Sequence, residues 1–276
     1  RETRGEGQWF GSGGGVWLLL KTRVAAALVF APALLALVYL GGLYIELTCF
    51  VLAMLMLWEF LQMTLGEGQP YAKAVGYLLG AAVAAAGLGW LSPSFVPLLP
   101  SVVVMGGAVA VLFNPLPLDA AGRKLAFLVA GAVYAAGLIP HLAALRNWPV
   151  EGLGFALMAL FCTWGADTGA YFAGRLLGRR KLYPKISPGK TVEGAIGGLV
   201  VAVGMAYLLW WWLQMPTSPG LTLVIGAVGA AFGTAGDLCE SMLKRSVGAK
   251  DSSNLIPGHG GVLDRFDGVM FARSEE

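Results

Sequence analysis

Apolar and polar positions alternate along this chain on the scale of whole segments rather than single residues. Predominantly apolar runs occupy roughly 24–42, 44–64, 73–91, 95–113, 124–142, 152–174, 194–213 and 221–241. Each approaches the ~20 residues a helix needs to cross a hydrocarbon layer ~30 Å thick. Gly41-Gly42 and the stretches "LGEGQP", "LSPSF", "FNPLPLDAAGRK" and "QMPTSPG" separate the runs with turn-forming residues. The pattern predicts an all-α, polytopic integral membrane protein with about eight transmembrane helices. Glu59 inside the second run and the Ala/Gly-rich third run are its least regular parts.

Composition strengthens this picture. The chain is 57% hydrophobic and 13% charged, with a mean hydropathy of +0.70, whereas soluble domains carry about 25% charged residues. An ordinary soluble domain is excluded. The net charge of +3 points to no nucleic-acid partner, because the basic residues fall mostly between apolar runs. Cys49, Cys162 and Cys239 each lie within an apolar run and read as small packing residues. Residues 1–18 read as a disordered lead or an artificial remnant, and the first apolar run as an uncleaved helix. N-terminal transmembrane helices then occupy 19–150, and 151–276 holds the C-terminal helices and the site.

Charge also orients the chain. Lys21 and Arg23 precede the first run and set the N-terminus inside. Counting crossings puts 65–72, 114–123, 175–193 and everything after 241 on the inner face. Loop 175–193 carries Arg175, Arg179, Arg180, Lys181, Lys185 and Lys190, while the outer loops are almost uncharged apart from Arg146 in 143–151. Two polar segments, around 183–198 and beyond 237, should therefore meet at one cytoplasmic site.

Four constellations carry candidate chemistry. Asp167, in "TWGADTGAY", sits about two turns (roughly 10 Å) from the inner end of its helix. An ionisable residue at that depth is a functional candidate; the alternative is a hydrogen bond to Thr163 or Thr168. In "YPKISPGKTVEGAIGG" the "GKT" does not make a nucleotide-binding P-loop, because position 184 is Pro where the motif needs Gly and no strand is expected before it. Ser187, Lys190, Thr191 and Glu193 instead lead into a helix N-terminus suited to phosphate. Asp237, Glu240, Ser241 and Lys244 share one helical face, either functional or simply a solvated helix end. Asp264 and Asp267 form the last pair. Asp237, Asp264 and Asp267 brought together would repel unless cations lay between them, and such oxygen ligands suit Mg²⁺ completed by substrate phosphates. Lys244, Arg245 and Lys250 read as phosphate-binding cations. His259 either donates to phosphate or turns the chain; His141 reads as structural. The sum suggests Mg²⁺-assisted phosphoryl or nucleotidyl transfer at a membrane surface.

The run "SMLKRSVGAKDSSNLIPGHGGVLDRFD", Ser241 to Asp267, closely resembles the signature of phosphatidate cytidylyltransferases (CDP-diacylglycerol synthases), and "DTGAYFAGRLLGRRKLYPKISPGKTVEGAIGG" resembles that family's other block. The resemblance implies transfer of CMP from CTP to phosphatidic acid, giving CDP-diacylglycerol and pyrophosphate in phospholipid biosynthesis. It implies Asp237, Asp264 and Asp267 as ligands of Mg²⁺ with K⁺ alongside, and a catalytic part for Lys244. Ser187, Lys190, Thr191, Glu193, Arg245, Lys250, His259 and Asp167 would serve the substrates. It further implies a bacterial inner-membrane enzyme with its site facing the cytoplasm, in contact with membrane lipids and with room for a homodimer. Val192 stands where the family often has Trp. Members normally continue from Asp-Arg-x-Asp into a final helix; here "GVMFARSEE" supplies only the start of a C-terminal ninth.

Three other functions compete. A CTP-dependent polyprenol or lipid-alcohol kinase would transfer phosphate, but the Pro-Gly-His-Gly-Gly block argues against it. A CDP-alcohol phosphatidyltransferase is mimicked only out of register by "DGVMFAR". An ion-coupled transporter could use Asp167, yet the sequence shows no internal repeat and its charges crowd one face.

Overall fold

The computed structural model describes residues 28–113, 117–253, 255 and 261–266. The expected lead, His259, Asp267 and the onward course of a ninth helix lie outside the described residues.

The apolar runs become helices. In chain order they are α1 (28–40), α2 (Gly42–Leu65), α3 (Pro70–Gly87), α4 (Leu99–Leu112), α5 (Ala121–Ala130), α6 (Pro140–Arg146), α7 (Gly152–Leu177), α8 (Val192–Leu213), α9 (Pro219–Ser246) and the single turn α10 (Leu263–Phe266). Segments Gly42–Leu65, Leu118–Arg146, Gly152–Leu177, Val192–Leu213 and Pro219–Ser246 are long and apolar enough to cross a membrane; Leu28–Leu40 and Val96–Leu112 are shorter apolar helices. The fifth expected run is longer than its hydropathy suggested. It continues from α5 through a π turn, Gly131–Ala135, and restarts at Pro140, which fits a first helical turn but cannot continue one.

The all-α expectation holds, with one short addition. Loop 175–193 contains an antiparallel hairpin, β1 (Lys181–Tyr183) and β2 (Ser187–Thr191), with Lys181 opposite Thr191 and Tyr183 opposite Ser187. A strand therefore does precede position 184. The P-loop remains excluded, because Gly189-Lys190-Thr191 lies inside β2 rather than in a phosphate-wrapping loop.

Buried apolar clusters organise the bundle around two groups of helices. The first surrounds α2, whose Ile45, Cys49, Ala53, Leu57, Phe60 and Leu61 are fully buried. The second joins α7, α8 and α9 through Met158, Cys162, Ala202, Ala206 and Ala230. Helices α7 and α8 approach closely because small residues face each other. A Cβ on Gly197 would lie 2.2 Å from the Ala173 Cβ, and one on Gly198 would lie 2.7 Å from the Ala166 carbonyl oxygen. Such stripes bring helix backbones together in membranes, where lipid supplies no hydrophobic drive between helices.

Polar contacts sort the helix ends into two groups. At one end the chain breaks between α1 and α2 at Gly41, which takes φ +65°. Arg146 donates to the carbonyls of Val38 and Tyr39, and Asn147 Oδ1 accepts from Gly42 N at 2.9 Å. Glu46 accepts from Asn147 Nδ2 and Trp90 Nε1, both at 2.8 Å. The charge that looked out of place in an outer loop is thus a cap for the carbonyls ending α1. At the other end Lys73 reaches Gln62, and the hairpin, the end of α9 and α10 gather there. This grouping agrees with the crossing parity expected from the loops.

Candidate active site

The site begins with the turn from hairpin to α8. Thr191 caps α8, its hydroxyl accepting from Gly194 N at 3.1 Å, as Ser/Thr caps do. Glu193 reaches back to the preceding loop, where its Oε2 accepts from the amides of Arg179 (3.0 Å) and Arg180 (3.1 Å). Thr191 and Glu193, expected near a nucleotide, therefore order the hairpin. Ser187 is buried at the start of β2. The side chains of Arg179, Arg180, Lys181 and Lys185 belong to exposed residues.

Lys190 carries the hairpin to α9, where it forms an ion pair with Asp237 Oδ2. The two polar segments that crossing parity assigned to one face do meet. The pair retains some access, with side chains 25% and 22% exposed. Asp237 Oδ1 is buried and has no hydrogen-bond partner among the described residues. That oxygen is an acceptor which a cation such as Mg²⁺ could use, since a buried polar atom without a partner is costly.

Further along α9, the face shared by Glu240, Ser241 and Lys244 is buried, which overturns its reading as a solvated helix end. Lys244 Nζ stands 3.0 Å from Glu240 Oε1 and 2.7 Å from Asp264 Oδ1. Its side chain is 2% exposed. Lys244, expected among the phosphate-binding cations, here stands between two internal carboxylates. Arg245 and Lys250 are exposed near the same helix end.

Asp264 is also engaged on its second oxygen. Oδ2 accepts from Ser252 N at 2.8 Å, Ser252 Oγ at 2.9 Å and Gly261 N at 2.9 Å. Burial pushes the Asp264 carboxyl up, but the Lys244 hydrogen bond and charge, with the Gly261 and Ser252 amides, outweigh it. Its pKa is held below the ordinary carboxylate value. Among the described residues no three His, Cys, Asp or Glu side chains converge as a metal cage, and Asp264 meets Lys244 instead of joining Asp237. Asp267 and His259 fall outside the described residues.

Asp167 lies half-buried on α7. The hydroxyls of Thr163 and Thr168, its suggested partners, donate to the carbonyls of Ala159 and Trp164, each at 2.8 Å. The sequence reading missed a participant altogether. Glu59, fully buried on α2, accepts from Ser253 Oγ (2.6 Å) and Val262 N (2.8 Å) on Oε1, and from Leu263 N (2.6 Å) on Oε2. The available signal was a carboxylate in an apolar run, noted only as an irregularity of the span. Glu59 also ties the N-terminal helices to a site expected in residues 151–276.

Comparison with known proteins gives a consistent answer. Residues 21–274 match the model of the Cytidylyltransferase family. A phosphatidate cytidylyltransferase of Staphylococcus epidermidis is 34% identical over 256 residues, 91% of this chain and 93% of that protein. One of Pseudomonas aeruginosa is 38% identical over 261 residues, 92% of this chain and 94% of that protein. One of Bacillus subtilis is 43% identical over 148 residues, 54% of this chain and 55% of that protein.

Proposed function

The chain belongs to the cytidylyltransferase family, and we propose that it transfers CMP from CTP to phosphatidic acid, forming CDP-diacylglycerol and pyrophosphate for phospholipid synthesis. A phosphate oxygen of phosphatidic acid attacks the α-phosphorus of CTP, and the bond to the bridging oxygen of the leaving pyrophosphate breaks. A phosphate monoester with a second pKa of about 6 is already largely ionised at pH 7, so the attack requires no general base. What it requires is charge neutralisation and in-line placement.

The observation that carries this reading is the pairing of Lys190 with Asp237, which joins the hairpin to α9 beside a buried, unbonded carboxylate oxygen. Lys190 is suited to a phosphate of CTP or of the lipid. The exposed cations of the hairpin are suited to drawing both anions to the site. Thr191 and Glu193 keep the hairpin in place, and Lys244 with Asp264 holds the following segment against α9. Asp237 would hold Mg²⁺, with Asp267 as the expected second carboxylate, and K⁺ is the expected companion ion. Once bound, Mg²⁺ supplies neutralisation of the triphosphate. The site faces the cytoplasm across a bacterial inner membrane in this reading, supported by the Lys and Arg residues gathered at the same end.

The test is product identification. Purified protein given CTP, Mg²⁺ and phosphatidic acid should yield CDP-diacylglycerol by mass spectrometry, with stoichiometric pyrophosphate, and EDTA should stop both. Phosphorylation of a polyprenol with release of CDP, and no liponucleotide, would reject the proposal in favour of a lipid kinase.

A further inference from the structure

The segment carrying Asp264 is held by a side chain from the far end of the chain. Leu263 N donates to Glu59 Oε2 across 204 positions of sequence, and Val262 N donates to Oε1 across 203. We infer that Glu59 is a positioning residue for the transfer reaction: its carboxylate fixes where the Val262–Asp264 segment stands against α9, and thereby sets turnover rather than CTP affinity. The inference rests on the cytidylyltransferase reading above.

Three observations carry it. First, the carboxylate is fully buried and, among the described residues, accepts from the amides of Val262 and Leu263 and the hydroxyls of Ser252 and Ser253. A buried carboxylate is tolerable only with such compensation, and here the described donors are residues that also hold or adjoin Asp264. Second, Gly261 passes directly against it. A Cβ there would lie 2.0 Å from Ser252 Oγ and 2.5 and 2.7 Å from the Glu59 oxygens. No side chain fits between segment and carboxylate. Third, Glu59 is linked to Asp264 through one group, because the Ser252 hydroxyl is 3.2 Å from Glu59 Oε2 and 2.9 Å from Asp264 Oδ2. One hydroxyl proton serves one oxygen at a time, so moving either carboxylate disturbs the other. Asp264 is meanwhile tied to α9 through Lys244. The segment is thus pinned between α2 and α9, and Glu59 is the α2 pin.

Glu59→Gln keeps size but sets an amide NH₂ against a backbone N–H in either orientation. A displacement of the segment by about an ångström should lower kcat by roughly ten- to a hundredfold, leaving the KM for CTP within about twofold of the wild-type value. Glu59→Asp, which keeps both acceptor oxygens, should recover part of the loss. Gly261→Ala, whose methyl would press on the Ser252 hydroxyl and the Glu59 oxygens, should reproduce the Glu59→Gln pattern while leaving the Glu59 charge in place. Amide hydrogen exchange of the peptide spanning 252–266 should accelerate in Glu59→Gln while α7 and α8 exchange as in wild type.

Unchanged exchange of that peptide would overturn the inference, as would wild-type turnover in Glu59→Gln. So would a fall in activity that merely tracks the fraction of folded protein. Wild-type protein that forms no CDP-diacylglycerol would instead remove the functional reading, while the exchange measurement would still decide whether Glu59 holds the segment.

Discussion

Lys244 shows how strongly one residue's role depends on its surroundings. In sequence it stands beside Arg245 as half of a basic pair, yet its ammonium lies between Glu240 and Asp264 and its neighbour is exposed. Lys244→Met should therefore destabilise the protein by about 3–5 kcal/mol, because it strands two buried carboxylates. The effect should appear as a lower thermal midpoint in detergent before any substrate is added; an unchanged midpoint would contradict the buried bridge. Asp264 adds a pH dependence of definite sign. Its folded pKa lies below the ordinary carboxylate value, so its stabilising contribution is complete above about pH 4. That contribution is lost as pH falls through the lower folded pKa, and the acid-induced loss should shrink in Asp264→Asn. On the role proposed for Asp237, Asp237→Asn should lower turnover by at least roughly a hundredfold, the scale of losing one group that stabilises charge in a transition state. Sequence made Asp237 legible as an acid among apolar residues. It could not separate Lys190, which reaches Asp237, from Lys244, which does not, because that depends on which helix each side chain faces.

At the scale of elements, the hairpin is placed by the two helices that flank it. Helices α7 and α8 touch through glycine and alanine, and their adjoining ends carry β1 and β2. Gly197→Val would push a side chain into Ala173 and the Gly169 carbonyl. Overpacking of this kind costs about 1–3 kcal/mol, and it should depress activity further by shifting Lys190 away from Asp237. Gly204, on the same helix, meets nothing within 4 Å, so Gly204→Ala should leave stability and turnover intact. Equal behaviour of the two variants would remove the close-packing argument. The helices themselves were largely readable, since apolar runs of this length have few alternatives in a bilayer. The hairpin was not, because three- and five-residue strands leave almost no periodic trace and are set by pairing across the turn. The π turn in the fifth span was equally silent.

The whole molecule separates two sets of polar contacts by the length of its helices. Arg146, Asn147, Glu46 and Trp90 close one end, and Glu59, Lys190, Asp237, Lys244 and Asp264 gather at the other. A membrane-impermeant thiol reagent should accordingly label Trp148→Cys and Lys185→Cys from opposite sides of oriented vesicles, each being an exposed position. Labelling of both from one side would break the proposed topology. A candidate site at one end of the helices suits a reaction between a soluble nucleotide and a lipid headgroup, which meet only at the membrane surface.

Segment-scale hydropathy by itself determined that this chain is a helical membrane protein and about where its helices run. The cost of exposing apolar or polar surface to the wrong solvent is large enough to be read from composition alone. Tertiary structure alone decided which acids pair with which bases, that Lys244 is an internal counter-ion, and that Glu59 clamps a segment two hundred positions away. Those outcomes rest on contacts of about 3 Å between helices distant in sequence, and buried charge takes whatever partner the packing brings within reach.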